Sequence, residues 1–178
     1  MCGIAGFNWI DSDKLNEMLV SMKSRGPDDR GTFEDNLVSL GHNRLSIIDL
    51  SNKGRQPMFD SSRELSIVYN GEVYNFMELR ETLQRIGYQF NSKTDTEVIL
   101  YSYKEWGLNF IKKLVGMFAL VIYDKRKNKL ILARDHMGIK PLYYYHRDGK
   151  FIFSSTIKPI LKHGIETSPN KTAIRDYL

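Results

Sequence analysis

Helical and strand periodicities are segregated along these 178 residues, and that order constrains the architecture more than any other feature. Apolar residues at helical spacing come early. Leu15, Met18, Leu19 and Met22 follow Asp11-Ser12-Asp13, which predicts a helix capped at Ser12 or Asp13. Phe76, Leu79, Leu83 and Ile86 form the stripe of a second helix that Gly87 ends. Thr94 or Asp95 caps a third, with Val98, Ile99, Tyr101, Tyr103 and Trp106 mostly facing a core. The second half turns to strands: Met117 to Tyr123, Lys129 to Arg134, Leu142 to His146 and Lys150 to Ser154, with Asp148-Gly149 as a hairpin turn. A doubly wound βαβ protein alternates its elements. Segregation favours instead an α+β fold, antiparallel sheets packed with helices.

Shorter signals complete the outline. Gly3 to Asn8 suits a buried strand, Leu37 to Ile48 and Leu65 to Tyr69 read as further strands, and Tyr88 to Phe90 as a short extended piece. Glycine and proline in Arg25-Gly26-Pro27-Asp28-Asp29 make a loop, and Lys171 to Leu178 looks like the start of another helix. One domain is expected. At this size a chain buries roughly 70% of its unfolded surface, so no disulfide or structural metal is needed, and the single cysteine permits no internal disulfide. No basic n-region or apolar run of about 20 residues is present, so neither export nor membrane insertion is expected and a cytoplasmic location follows by default. The net charge of +5 could suggest nucleic acid. Its densest run, Lys125 to Lys129, lies between two strands and reads as a solvated hairpin tip, and no nucleic-acid motif accompanies it.

The chemistry starts at residue 2. A small residue there generally permits removal of Met1, leaving Cys2 with nucleophile and base in one residue, because the α-amine can take the proton of the thiol. The alternative is a small buried hydrophobe in the first strand. A thiol attacking a carbonyl needs donors for the developing oxyanion. Asn70-Gly71 offers a side-chain amide and a backbone N–H at the end of the Leu65 to Tyr69 strand, although Asn-Gly is also an ordinary hairpin turn. Glu72 and a following helical region make the plain hairpin less usual. His42, His136, His146 and His163 lack metal-ligand spacing, and the 13 glycines form no Walker-type or dinucleotide pattern, so no metal site and no ATP site is assigned.

Read in order, MCGIAGF, SRGPDDRG, GHNRLSIIDLS, QPM, YNGEVYN, KTDTEVIL, GMFALVIYD and ARDHMGIKPLYY resemble the glutaminase domain of the class II, N-terminal-nucleophile glutamine amidotransferases, in the asparagine-synthetase branch. The resemblance spans nearly the whole chain. It implies a four-layer αββα sandwich of two antiparallel sheets. It also implies roles: Cys2 as nucleophile, its α-amine as general base, and the Asn70 side chain with the Gly71 N–H as oxyanion hole. Arg44 would bind the glutamine α-carboxylate, with a planar guanidinium suited to bidentate contact. Its other reading is a surface charge, which its apolar neighbours Leu45, Ile47 and Ile48 argue against. Asp95 would hold the substrate ammonium, with Glu72 as a second acid, though Asp95 also suits a helix cap. Backbone groups near Leu45 and Ile47 would complete the pocket. Arg25, Gly26, Pro27 and Asp28 match a loop that closes over glutamine.

Ser24 stands where the family often has histidine, His136 and Met137 replace a usual pair, and Thr156 replaces a common glutamate. The last three lie toward the family's interface with its synthetase domain. By the resemblance, residues 1–165 form the glutaminase unit and 166–178 begin the segment leading to a synthetase domain that these residues do not contain. ATP and magnesium are expected only in that domain. The partners implied are L-glutamine and an ammonia-accepting synthetase domain or subunit. Two other functions share the outline: a docking or regulatory subunit with little activity alone, and an N-terminal-nucleophile hydrolase of another amide. Carboxylate and ammonium recognition by Arg44, Asp95 and Glu72 would fit a free α-amino acid better than the latter.

Overall fold

The computed structural model describes residues 1–178. Nine strands form two antiparallel sheets. The first contains β1 (Gly3–Phe7), β2 (Asp29–Asp35), β3 (Val38–Arg44), β8 (Tyr143–Arg147) and β9 (Lys150–Ser154) in the order β2-β3-β1-β9-β8. The second is β4-β5-β6-β7, from β4 (Met58–Phe59), β5 (Leu65–Val73), β6 (Gly116–Asp124) and β7 (Lys129–Arg134). Helices α1 (Ser12–Ser21) and α4 (Ile157–Leu161) cover the first sheet, and α2 (Phe76–Arg85) and α3 (Asp95–Trp106) cover the second. A last helix, α5 (Lys171–Tyr177), buries no residue.

Side-chain alternation builds the layers, since successive residues of a strand face opposite ways. In β1, Ile4 points between the sheets while Ala5 and Phe7 pack on Leu15, Met18 and Leu19 of α1. In β5, Leu65, Ile67 and Tyr69 join α2 and α3, whereas Val68 meets Ile4, Val38 and Leu40 across the inter-sheet layer. The central strands of both sheets are therefore buried on both faces, and the order α1/α4, sheet, sheet, α2/α3 is the αββα arrangement expected from the resemblance. Gly41 shows how tightly α1 lies on β3: a Cβ there would meet Leu19 Cδ1 at 2.8 Å.

Several expectations need correction. The α1 cap is Asp11, whose carboxylate accepts the Lys14 N–H at 2.9 Å, one residue before the predicted Ser12 or Asp13. Thr94 caps α3, and Asp95 is its first helical residue. The β3 strand stops at Arg44 rather than Ile48. β5 runs on to Val73, so Asn70-Gly71 is neither a turn nor a strand end. Ile86, placed on the core stripe, is 53% exposed at the end of α2. Tyr88 to Phe90 pairs with no strand, although Tyr88 and Phe90 pack against Tyr101. β2 follows the Gly26-Pro27 loop directly and was not anticipated, because its Asp-Arg-Gly-Thr-Phe-Glu-Asp sequence carries a single large apolar residue. It is an edge strand, where such polarity is expected.

Candidate active site

Cys2 precedes β1, at the end of the first sheet where β3 also ends. Its Sγ accepts the Leu45 N–H at 3.3 Å and lies 3.6 Å from the Leu45 carbonyl oxygen. The Arg25 Nε–H donates to the Cys2 carbonyl at 3.1 Å. Burial pushes the thiol pKa up; the Leu45 hydrogen bond, the N-terminal amine, Arg44 and Arg25 act in the opposite direction. The thiol opens onto a cavity of about 150 Å³, lined in part by Met1.

The opposite wall is β5, and its hydrogen-bond parity explains what it offers. Lys125 N–H bonds to Glu64 O and Tyr74 N–H to Val115 O, so even-numbered residues of β5 exchange bonds with β6 and odd-numbered ones turn away. β4 is only two residues long and covers Ile67 alone of the odd positions. Beyond it, the Tyr69 N–H is taken by Gln56 Oε1 at 2.6 Å and the Val73 N–H by Asp95 Oδ2 at 3.0 Å. Between them the Gly71 N–H is directed to the open side, at the cavity wall. Only glycine fits there, because a Cβ would strike the Met117 carbonyl oxygen and Phe118. Asn70 faces the inter-sheet side, 2% exposed, and its Nδ2 has no hydrogen-bond partner. A buried donor without an acceptor is costly, and here it lies in the cavity lining with Cys2 and Gly71.

The charged residues gather at the same cavity. Arg44 is buried, its guanidinium donating to Ser51 O at 3.0 Å and to Asp49 O. It is thus no free surface charge. The reason differs from the one read in the sequence, since Ile47 and Ile48 are 73% and 41% exposed on the loop that Arg44 holds. Leu45, Ile47, Glu72 and Asp95 also line the cavity. Asp95 is buried, which pushes its carboxyl pKa up, against hydrogen bonds from Tyr69 and Val73 that lower it.

Arg25, Gly26, Pro27 and Asp28 do not line the cavity. They brace its floor: Asp28 Oδ2 accepts the Ser46 N–H at 2.7 Å, the Asp28 N–H donates to Arg44 O, and Gly26 lies against the Asn43 backbone where no side chain fits. The sequence reading missed Gln56, Tyr69, Thr96, Met117 and Lys140, all of which line the cavity. The QPM and GIKPLYY segments were signals for Gln56 and Lys140. Tyr69, Thr96 and Met117 likewise fall within YNGEVYN, KTDTEVIL and GMFALVIYD, but residue type alone gives none of them a role.

His42 supports the wall from behind. It projects from β3 between the sheets, and its Nε2 lies 3.1 Å from the Tyr69 carbonyl. A carbonyl only accepts, so Nε2 carries the hydrogen and the ring is neutral with Nδ1 unpartnered. Full burial lowers its pKa to about 4.

A two-sheet αββα sandwich with a cysteine, an unpartnered amide and an outward N–H at one cavity defines a class, and sequence comparison agrees with it. The glutamine amidotransferase domain family matches residues 1–178, and the chain belongs to that family, within its class II branch. Its relatives narrow the branch. It is 40% identical to asparagine synthetase [glutamine-hydrolyzing] 3 of Bacillus subtilis, over 92% of this chain and 28% of that protein. It is 41% identical to putative asparagine synthetase [glutamine-hydrolyzing] 2 of Methanocaldococcus jannaschii, over 90% and 35%, and 40% identical to amidase chyE of Penicillium rubens, over 92% and 24%. The chain thus spans about a quarter to a third of these relatives. Among solved structures, glutamine phosphoribosylpyrophosphate amidotransferase from B. subtilis shares the fold with a TM-score of 0.78 at 20% identity, covering 92% of this chain and 44% of that one.

Proposed function

We propose that this domain hydrolyses the side-chain amide of L-glutamine to glutamate and ammonia, and supplies the ammonia to an asparagine-synthetase-type amidation. The carrying observation is the convergence of the Cys2 thiol, the unpartnered Asn70 Nδ2 and the outward Gly71 N–H on one small cavity. After removal of Met1, the Cys2 α-amine accepts the thiol proton as Sγ bonds to the amide carbon. Asn70 and Gly71 hold the oxyanion. The C–N bond then breaks, the proton leaves with the nitrogen as ammonia, and water cleaves the γ-glutamyl thioester to glutamate and free thiol. Arg44 takes the substrate carboxylate, with the Leu45 and Ile47 backbone beside it. Asp95 and Glu72 take the ammonium, and the Arg25 to Asp28 loop holds the segment from Arg44 to Ser46 on the carboxylate side. Residues 1–165 make up this unit, and 166–178 lead toward the synthetase partner, where ATP and magnesium would act.

Asn70→Ala tests the assignment. Losing one oxyanion donor is expected to lower kcat roughly 10²–10³-fold in a protein that remains folded; near-normal turnover would remove Asn70 from the mechanism. A second reading, hydrolysis of a different amide, is favoured by the likeness to amidase chyE. Comparing turnover of L-glutamine with that of glutamine blocked at its α-amine separates the two, because an Asp95-bound ammonium is lost in the blocked substrate.

A further inference from the structure

We propose that Tyr69 is a positioning residue for substrate recognition: with the Val73 N–H, its hydroxyl anchors one oxygen of Asp95 and so presents the other to a cation in the cavity. The proposal rests on the glutaminase reading above and adds a residue to it. Tyr69 O–H donates to Asp95 Oδ2 at 2.7 Å, and Val73 N–H donates to the same atom at 3.0 Å. Two donors commit the lone pairs of that oxygen. Oδ1 receives neither, and the Thr96 and Asp95 backbone N–H groups at the start of α3 also act on the carboxylate.

Tyr69 is well suited to the task because its own backbone is held from two directions. Gln56 Oε1 accepts its N–H at 2.6 Å, and His42 Nε2 holds its carbonyl at 3.1 Å. Gln56 in turn donates to Thr96 Oγ1 at 3.3 Å, in the first turn of α3. The strand and the helix start are therefore tied together on both sides of the carboxylate. Around the same cavity stand Glu72 with like charge and Arg44 and Lys140 with opposite charge, and none of them bonds to Asp95. Of the side chains, only the Tyr69 hydroxyl fixes its orientation. Burial opposes ionisation of Asp95, and the phenolic donor favours it. Without that donor the carboxylate would lose both an anchor and part of its charge, and a substrate ammonium would bind less well.

The experiment uses the Cys2→Ala chain, which cannot turn over, and measures calorimetric binding of L-glutamine and of glutaramate, the same molecule without its α-amine. Tyr69→Phe keeps the buried ring. It is expected to weaken L-glutamine roughly tenfold, the scale of one hydrogen bond to a charged group, and to leave glutaramate within about twofold. In an Asp95→Asn background, Tyr69→Phe should then have no further effect on L-glutamine, because it acts through Asp95. Unchanged glutamine binding, or equal weakening of both ligands, overturns the proposal alone. Parent protein that binds L-glutamine no better than glutaramate overturns the ammonium-site reading and the proposal with it.

Discussion

Tyr69 and Asn70 are neighbours that face opposite sides of one strand, and the site depends on both orientations. Tyr69 reaches α3 and orients Asp95, while Asn70 faces the first sheet and leaves its amide unpartnered. Burial acts on Cys2 in the same way that it acts on Asp95, disfavouring the charged form. With Met1 in place the thiol has no adjacent α-amine of its own, and its raised pKa keeps it protonated into the alkaline range. The alkylation rate of the Met1-retaining protein by iodoacetamide should therefore still climb above pH 9; a plateau below pH 8 would contradict a raised pKa. The proposed roles of Cys2, Asn70 and Gly71 come from residue type and order. The openness of the Gly71 N–H was not, because it follows from hydrogen-bond parity and the length of a neighbouring strand.

At the level of elements, the start of α3 fixes the Asp95 side of the cavity. Thr94 Oγ1 accepts the Glu97 N–H at 3.3 Å, and the Glu97 carboxylate reaches back to the Asn91 and Ser92 N–H groups at 2.9 and 2.7 Å. This is a variant of the capping box, with the returning acid bound to N–H groups two and three residues before the cap residue itself. Thr94→Ala should cost about 1 kcal/mol of stability, measured by urea unfolding, and should weaken glutamine more than glutaramate because Asp95 follows the cap directly. No change in either would mean that the Ser92 and Glu97 bonds hold the turn without it. The helix was legible from its apolar spacing, but the cap was ambiguous between Thr94 and Asp95 because both residue types serve. The tertiary partner Tyr69 draws Asp95 away from that role. β5 was cut short for a related reason: Asn-Gly is a turn signal locally, and continuous pairing with β6 overrides it.

For the molecule as a whole, the two sheets must keep their separation for the two walls to meet at one cavity. His42 is the polar bridge between them, and it must be neutral to stay buried. An unfolded histidine titrates near 6.5, whereas folded His42 titrates at about 4. Between those values the unfolded state binds more protons, so stability falls as pH drops from about 6.5 toward 4, by on the order of 3 kcal/mol. His163, also lowered to about 4, acts in the same direction. Urea midpoints at pH 7.5 and 4.5 should therefore differ less in His42→Gln than in the parent; an unchanged difference would show that His42 does not contribute to acid sensitivity. What the sequence by itself determined is the class of fold and the order of elements, and it nominated the groups proposed to react, since these depend on periodicity, turn chemistry and residue type. Only the tertiary structure decided that Asn70 and Gly71 lie within a strand, that Arg44 is tied to loop carbonyls, and that Tyr69, Gln56 and His42 hold the wall in place. These features arise from pairing and packing between segments far apart in the chain, where no local pattern records which donor meets which acceptor.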